Sequence, residues 1–225
     1  MSTTDVIPII LCGVFAIIFF VNHGAKQRRI AVIDTFVFPS GIVTSLHKTY
    51  PQLSLDQINL VLEQMREYFH LCNIAMGNRQ QVGMPSKVVD EAWHEFILFT
   101  KQYESFCNKA FETFLHHTPA TAMVNEKDVS ESLRNAWRIA CHRKNINPLT
   151  PSELPPIFAI DALLGISDGF AYSLDGDGSA FDAKTIGCNG GKASWGGAGS
   201  YLLFGSSTDE SGCSSGCSGG CGGGD

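Results

Sequence analysis

The stretch "VDEAWHEF", residues 89–96, sets Trp93 and His94 side by side among Asp90, Glu91 and Glu95. On a helix, Asp90 and His94 are i, i+4 neighbours and Glu91 and His94 are i, i+3 neighbours, so either carboxylate can accept a hydrogen bond from the imidazole. That pairing satisfies a half-buried histidine, and it is equally the way a metal-ligating histidine is oriented. Further donors stand at His70 and at His116 and His117 in "FLHHTP". If the helix ran on unbroken, the later pair would lie roughly 33 Å from His94 along its axis. Either could join only if the chain breaks and folds back, whereas His70, on a preceding antiparallel helix, reaches more easily. Asp90, His94, His70, His116 and His117 are therefore the candidate ligands for a divalent ion such as Zn, Fe or Mn. The preferred reading is the structural one: a core-edge histidine held by a carboxylate, with His116 and His117 closing a helix whose carboxyl end favours cations. No Ser/His/Asp arrangement, phosphate-cradling glycine loop or HExxH pair is present.

Cysteines fall into two groups. Cys12, Cys72, Cys107 and Cys141 sit in apolar helical contexts, where a free thiol behaves as a small hydrophobe. Cys188, Cys213, Cys217 and Cys221 lie in a Gly-rich tail, and "CSSGCSGGC" could hold a soft metal or form mixed disulfides. "DGDG", residues 175–178, lacks the remaining ligands of a calcium loop and reads as a turn. Residues 1–151 carry 14 Lys/Arg against 13 Asp/Glu and residues 152–225 carry 2 against 9, so the net charge of −6 is +1 plus −7 and belongs to the tail. A near-neutral body with an acidic tail argues against nucleic acid as a partner.

Residues 6–21, "VIPIILCGVFAIIFFV", hold no charged side chain. At 1.5 Å per residue they span roughly 24 Å, slightly under a ~30 Å hydrocarbon core. Val6, Ile10, Phe15, Phe20 and Val21 are the expected lipid-facing residues of a single-pass anchor. Asp5 precedes the run and Lys26, Arg28 and Arg29 follow it, which is the wrong order for a cleaved signal. The positive-inside rule puts the amino terminus outside and the bulk of the chain in the cytoplasm. Leu11 before Cys12 is too large for a lipoprotein site.

The elements that position the histidines follow from periodicity. Ser54 and Gln57 have capping-box spacing ahead of a helix whose apolar face runs from Leu55 through Ile58, Val61, Leu62, Met65, Tyr68, Phe69 and Cys72, and which stops at Gly77–Asn78. A second long helix starts near Pro85–Ser86, buries Val89, Ala92, Trp93, Phe96, Thr100, Tyr103, Cys107, Ala110, Phe111 and Phe114, and ends around His116–His117. A third covers roughly 128–144, with Leu133, Trp137, Ala140 and Cys141 inward and the Arg134, Arg138, His142 ladder as a solvated face. "IAVIDTFVF", residues 30–38, could be helix or strand. "IFAIDALLGI", residues 157–166, could dock as a last helix. From Gly205 onward the chain cannot offset its ordering entropy and should stay disordered.

Residues 84–119 resemble the signature of the glycine-rich domain-containing protein-like family: an Asp, a Trp-His pair, a Tyr, a Cys and a His, matched here by Asp90, Trp93, His94, Tyr103, Cys107 and His116. The Gly-rich carboxyl end agrees in composition. The chain is similar to small bacterial membrane-bound versions, whereas the plant relatives are larger and soluble. The resemblance implies that Asp90, Trp93 and His94 act as a unit, and it implies no molecular activity.

The sequence therefore specifies an all-α protein: a transmembrane anchor with a basic flank in 1–29, a helical domain in 30–150, and a Pro-then-Gly-rich linker and disordered tail in 151–225. The expected role is a non-enzymatic interaction module at the bilayer, recruiting a protein partner. The alternatives are a metal-binding protein or metal-dependent enzyme using Asp90 and His94, and a tail whose cysteines bind metal or become modified.

Overall fold

The computed structural model describes residues 3–119, 126–172, 174 and 200–203, with side chains described for 11–17, 19–117, 131–172 and 174. Among the described residues, seven helices and one two-stranded ribbon run in the order α1 (Thr3–Thr35), α2 (Ser40–Thr49), α3 (Leu55–Gly77), α4 (Lys87–Leu98), α5 (Thr100–Ala110), β1 (His116–Pro119), α6 (Glu126–Arg143), α7 (Pro156–Leu163) and β2 (Ser200–Leu203). The expected all-α class holds, with a short antiparallel pairing of β1 and β2 added, His117 opposite Leu202.

α3 is the central element and packs against α1, α2, α4, α6 and α7. Its start is fixed locally: Ser54 accepts from Gln57 N at 3.2 Å, and Gln57 accepts from Ser54 N at 2.8 Å, two helix-end donors satisfied reciprocally. Around it Phe36, Phe38, Phe69, Trp93, Phe96, Phe106 and Phe111 form a continuous aromatic core, with Phe36–Phe106 at 4.7 Å and Phe69–Phe106 at 4.8 Å between ring centres. Such edge-on and tilted pairs add to the large area each ring removes from water. Trp93 is fully buried here.

"IAVIDTFVF" resolves as the end of α1 and the turn after it. Arg66 of α3 donates to the carbonyls of Ile33 and Phe36, the latter at 2.8 Å, and its guanidinium lies 4.9 Å from the centre of the Phe38 ring. These carbonyls have no further helical turn to bond, so Arg66 closes the α1 terminus. Pro39 then caps α2. This helix had no sequence signal of its own beyond the Pro39-Ser40-Gly41 interruption.

The long second helix is broken. α4 ends at Leu98, Phe99 turns with ψ at 57°, and α5 starts at Thr100. The Phe99 ring presses on Gly41 of α2, where an added Cβ would stand 2.6 Å from Phe99 Cζ. α5 then stops at Ala110, well before the histidines, and Thr100 and Phe114 lie outside the buried stripe. His116 and His117 are on β1, so they do not end a helix.

The packed body reaches past residue 150. Ile157, Phe158 and Ile160 of α7, with Leu164 and Ile166, are buried, and Phe158 meets Trp137 of α6 edge-on at 5.3 Å. At the other end, Leu11, Phe15, Ile17, Phe19, Phe20 and Val21 of α1 are exposed, Phe15 and Phe20 by 73% and 72%. Among the described residues no single helix is long and apolar enough to cross a membrane. α1 from Leu11 together with α2 passes on length and composition, across a 57° bend. Val6 and Ile10 fall outside the described side chains, as do Cys188, Cys213, Cys217, Cys221, the DGDG turn and the tail from Gly205.

Candidate metal centre

The break at Phe99 separates α5 from α4, and the chain leaving α5 brings His117 of β1 against Asp90, Trp93 and His94 of α4. Asp90, His94 and His117 each offer one ligand atom, and the three atoms lie within 4.8 Å of one another. His117 Nε2 is 3.2 Å from Asp90 Oδ1, and the two imidazole rings are 4.0 Å apart between centres, tilted by 56°. Asp90 is 3% exposed, the His117 side chain 10% and the His94 side chain 44%. The cluster is thus closed on the protein side and open along His94.

Each member is held by the surrounding structure. Asp90 lies in the first turn of α4, and that turn is fixed from α7. The buried Asp161 carboxylate accepts from Ser86 Oγ at 2.6 Å, Lys87 N at 2.7 Å, Val88 N at 3.2 Å and Phe170 N at 2.9 Å. Ser86 in turn accepts from Val89 N at 3.2 Å. A carboxylate on the free N–H groups of a helix start satisfies them and suits the helix dipole. His94 Nδ1 is 2.8 Å from the Asp90 carbonyl oxygen. A proton on Nδ1 makes that bond and leaves the Nε2 lone pair for a metal, the usual state of a ligating imidazole.

His117 is placed by the residues of the Trp-His motif. The Trp93 ring packs on the His117 ring at 4.6 Å. Trp93 Nε1 donates to Tyr103 Oη at 3.1 Å, and Tyr103 Oη donates to the Leu115 carbonyl at 2.5 Å. Burial pushes the Tyr103 hydroxyl far above its ordinary range, with the Cys107 thiol beside it acting in the same direction, so it stays a donor. Cys107 is likewise raised by burial. A protonated thiol in the core packs and does not ligate. Asp90, Trp93, His94, Tyr103 and Cys107 are therefore connected through packing and hydrogen bonds that set the strand two residues before His117.

Two candidates lie elsewhere. His70 faces α1, where its Nε2 is 2.8 Å from Asp34 Oδ1; α3 turns this ring away from α4, so the expected His70–His94 grouping does not form. His116, the neighbour of His117 on β1, points to the opposite face, is exposed and packs against Phe114 at 4.9 Å. Alternation along a strand accounts for the difference. The Arg138 and His142 side chains are exposed, as a solvated face requires, and Arg134 is half-buried. What sequence reasoning missed is the turn at Phe99 and the positioning role of Tyr103 and Asp161. Only the capping serine at 86 carried a visible signal.

Comparison with curated proteins and with solved structures finds no match. Residues 28–191 match the UCP032817-like family. That segment begins after the exposed apolar part of α1 and takes in Asp90, His94 and His117 together with every helix of the packed body from α2 to α7. Covering well over half of the 225 residues, this match shows that the chain belongs to the UCP032817-like family.

Proposed function

We propose that the protein is a membrane-anchored binder of a divalent transition metal, held by Asp90, His94 and His117. The observation that carries this reading is the convergence of two imidazoles and a buried carboxylate within 4.8 Å. Two nitrogen donors and one oxygen suit Zn, Fe(II) or Mn, and three protein ligands leave coordination positions for water or a substrate. Those positions open on the His94 side, the exposed edge of the cluster. A bound ion there would supply Lewis acidity, while the chain's own groups orient it: the Asp90 carbonyl fixes the His94 ring, and Trp93 and Tyr103 fix the strand that presents His117.

The test is metal content of the purified full chain in detergent after exposure to Zn, Mn or Fe(II). One ion per chain is expected, lost in His117→Ala and in Asp90→Asn and retained in His116→Ala. A metal-free wild type, or a His116→Ala loss equal to that of His117→Ala, rejects the site.

Anchoring is supported by the exposed apolar side chains from Leu11 to Val21 and by the basic flank at Lys26, Arg28 and Arg29, which favours a cytoplasmic body. Flotation with lipid vesicles, abolished by removing residues 1–22, is the expected behaviour. A chain that stays in solution without detergent rejects it. A metal-free interaction module is the second reading, favoured by the apolar groove of about 210 Å³ between α3 and α7, lined by Leu60, Leu154, Pro156, Ala159 and Leu163. A partner protein whose capture fails with Leu163→Asp but survives His117→Ala would support it.

A further inference from the structure

Arg28 and Arg29 follow the exposed apolar part of α1 by about 10 Å along the axis, and both reach the same carboxylate. Arg29 Nη2 donates to Glu112 Oε2 at 2.6 Å and Arg28 Nη2 lies 3.5 Å from Glu112 Oε1. Glu112 sits in the connector between α5 and β1, five residues before His117, in the left-handed region at φ 59°. That backbone conformation is strained for a residue with a side chain. The pair of arginines is not saturated by Glu112. Arg29 Nε is buried without a hydrogen-bond partner, and the Arg28 side chain is largely exposed. The phosphodiester of a lipid headgroup, like a carboxylate, offers two charged oxygens, and it matches the guanidinium fork.

We propose that Arg28 and Arg29 form a binding site for the phosphate of an anionic lipid headgroup, and that its occupancy takes them from Glu112 and loosens the connector that carries His117 to Asp90. The proposal rests on the reading of α1 as a membrane anchor, since the bilayer delivers the ligand. An exposed ion pair is weak, and the pull of an anionic leaflet on a basic side chain near its surface is of similar size, so lipid composition can decide between the two partners. Once released, Glu112 loses the contacts that hold its strained backbone, and the segment to His117 gains freedom. The metal site thereby senses the charge of the membrane it sits on.

The experiment is amide hydrogen exchange of residues 112–117 in the full chain, on vesicles of phosphatidylcholine alone and of phosphatidylcholine with phosphatidylglycerol. Exchange is expected to speed up several-fold on the anionic vesicles. In Glu112→Gln it is expected to be fast on both, and in the Arg28→Gln/Arg29→Gln double variant fast on both with no response to lipid. Inorganic phosphate added to the neutral vesicles separates the two sources of the ligand: acceleration by free phosphate as strong as by lipid would overturn the assignment to a headgroup. A chain that floats with both vesicles but exchanges equally on them overturns the proposal while leaving the anchor intact. A chain that floats with neither removes the anchor and this inference with it.

Discussion

His117 Nε2 stands 3.2 Å from Asp90 Oδ1, a contact between residues 27 apart that closes only because α4 and α5 are separate helices. In the absence of a metal, this pair is a hydrogen bond between an imidazole and a nearly buried carboxylate. A metal there would take the Nε2 lone pair, with the ring proton moving to Nδ1 so that the imidazole stays neutral. Because only an imidazole with a free lone pair ligates, metal affinity is expected to fall steadily as the solution is acidified, read by metal titrations at a series of pH values. An affinity that does not change with pH would contradict it.

Tyr103→Phe separates positioning from ligation. Removing the hydroxyl leaves the Trp93 N–H and the Leu115 carbonyl without their buried partner, at about 1–3 kcal/mol of stability. The three ligands remain, yet the strand carrying His117 is no longer tied to Trp93. Metal affinity should fall by about 10–100-fold with stoichiometry unchanged. A denaturation curve and a metal titration on the same sample check both parts. Lost stability with unaltered affinity would make Tyr103 a core residue only.

Asp161→Ala strips the start of α4 of its external acceptor. Three backbone N–H groups and the Ser86 hydroxyl lose it at once. A loss on the order of 3–5 kcal/mol is expected, against a smaller one for Asp161→Asn, which keeps one acceptor oxygen. Chemical denaturation of the full chain in detergent measures the order. A wild-type midpoint in Asp161→Ala would show that the carboxylate contributes nothing beyond its packing.

Acid should weaken the fold in two stages. Burial lowers the His70 pKa from 6.5, and Arg143 adds to this against the pull of Asp34. The unfolded chain therefore takes up the proton first, and stability declines as pH drops below about 6.5. Glu67 is the second stage. Burial opposes its charge, but hydrogen bonds from Arg143 at 2.7 and 2.9 Å, with Lys144 nearby, outweigh that and lower its pKa from 4.5. A depressed carboxyl contributes stability above its unfolded pKa of 4.5 and loses it as pH falls through the folded value. Glu67→Gln should cost about 1.5–3 kcal/mol at neutral pH and flatten the lower stage. His70→Gln should flatten the upper one. Midpoints of denaturation measured across pH decide; a wild-type curve level from neutrality down to pH 4.5 would refute the His70 assignment, and one that stays level below that pH would refute the Glu67 assignment.

Local chemistry made much of the fold legible. The Ser54–Gln57 cap, the stop at Gly77 and the burial of Trp93 follow from residue type and spacing alone. The break at Phe99 does not, because Phe96, Tyr103, Phe106 and Ala110 keep helical spacing straight across it. A periodic stripe records which residues face the core, and two helices meeting at a kink can share one stripe as well as a single rod can. What decides is the approach of Phe99 to Gly41 from a different helix, a tertiary contact. The same gap hid the site. His117 was separated from His94 by a distance that held only for an unbroken helix, and the choice between His116 and His117 depended on strand alternation that four residues of β1 could not announce.

α1 is one uninterrupted helix of 33 residues, about 50 Å long, and Arg66 with the His70–Asp34 pair clamps only its final turns. It is a cantilever. Whatever grips the free end sets the azimuth of the body as well as its height, because no swivel lies between Gly24 and the clamp. One extra alanine spliced in after Gly24 would roll the metal ligands by about 100° around the beam, pointing the open edge at His94 in a new direction while every contact inside the body stays as it is.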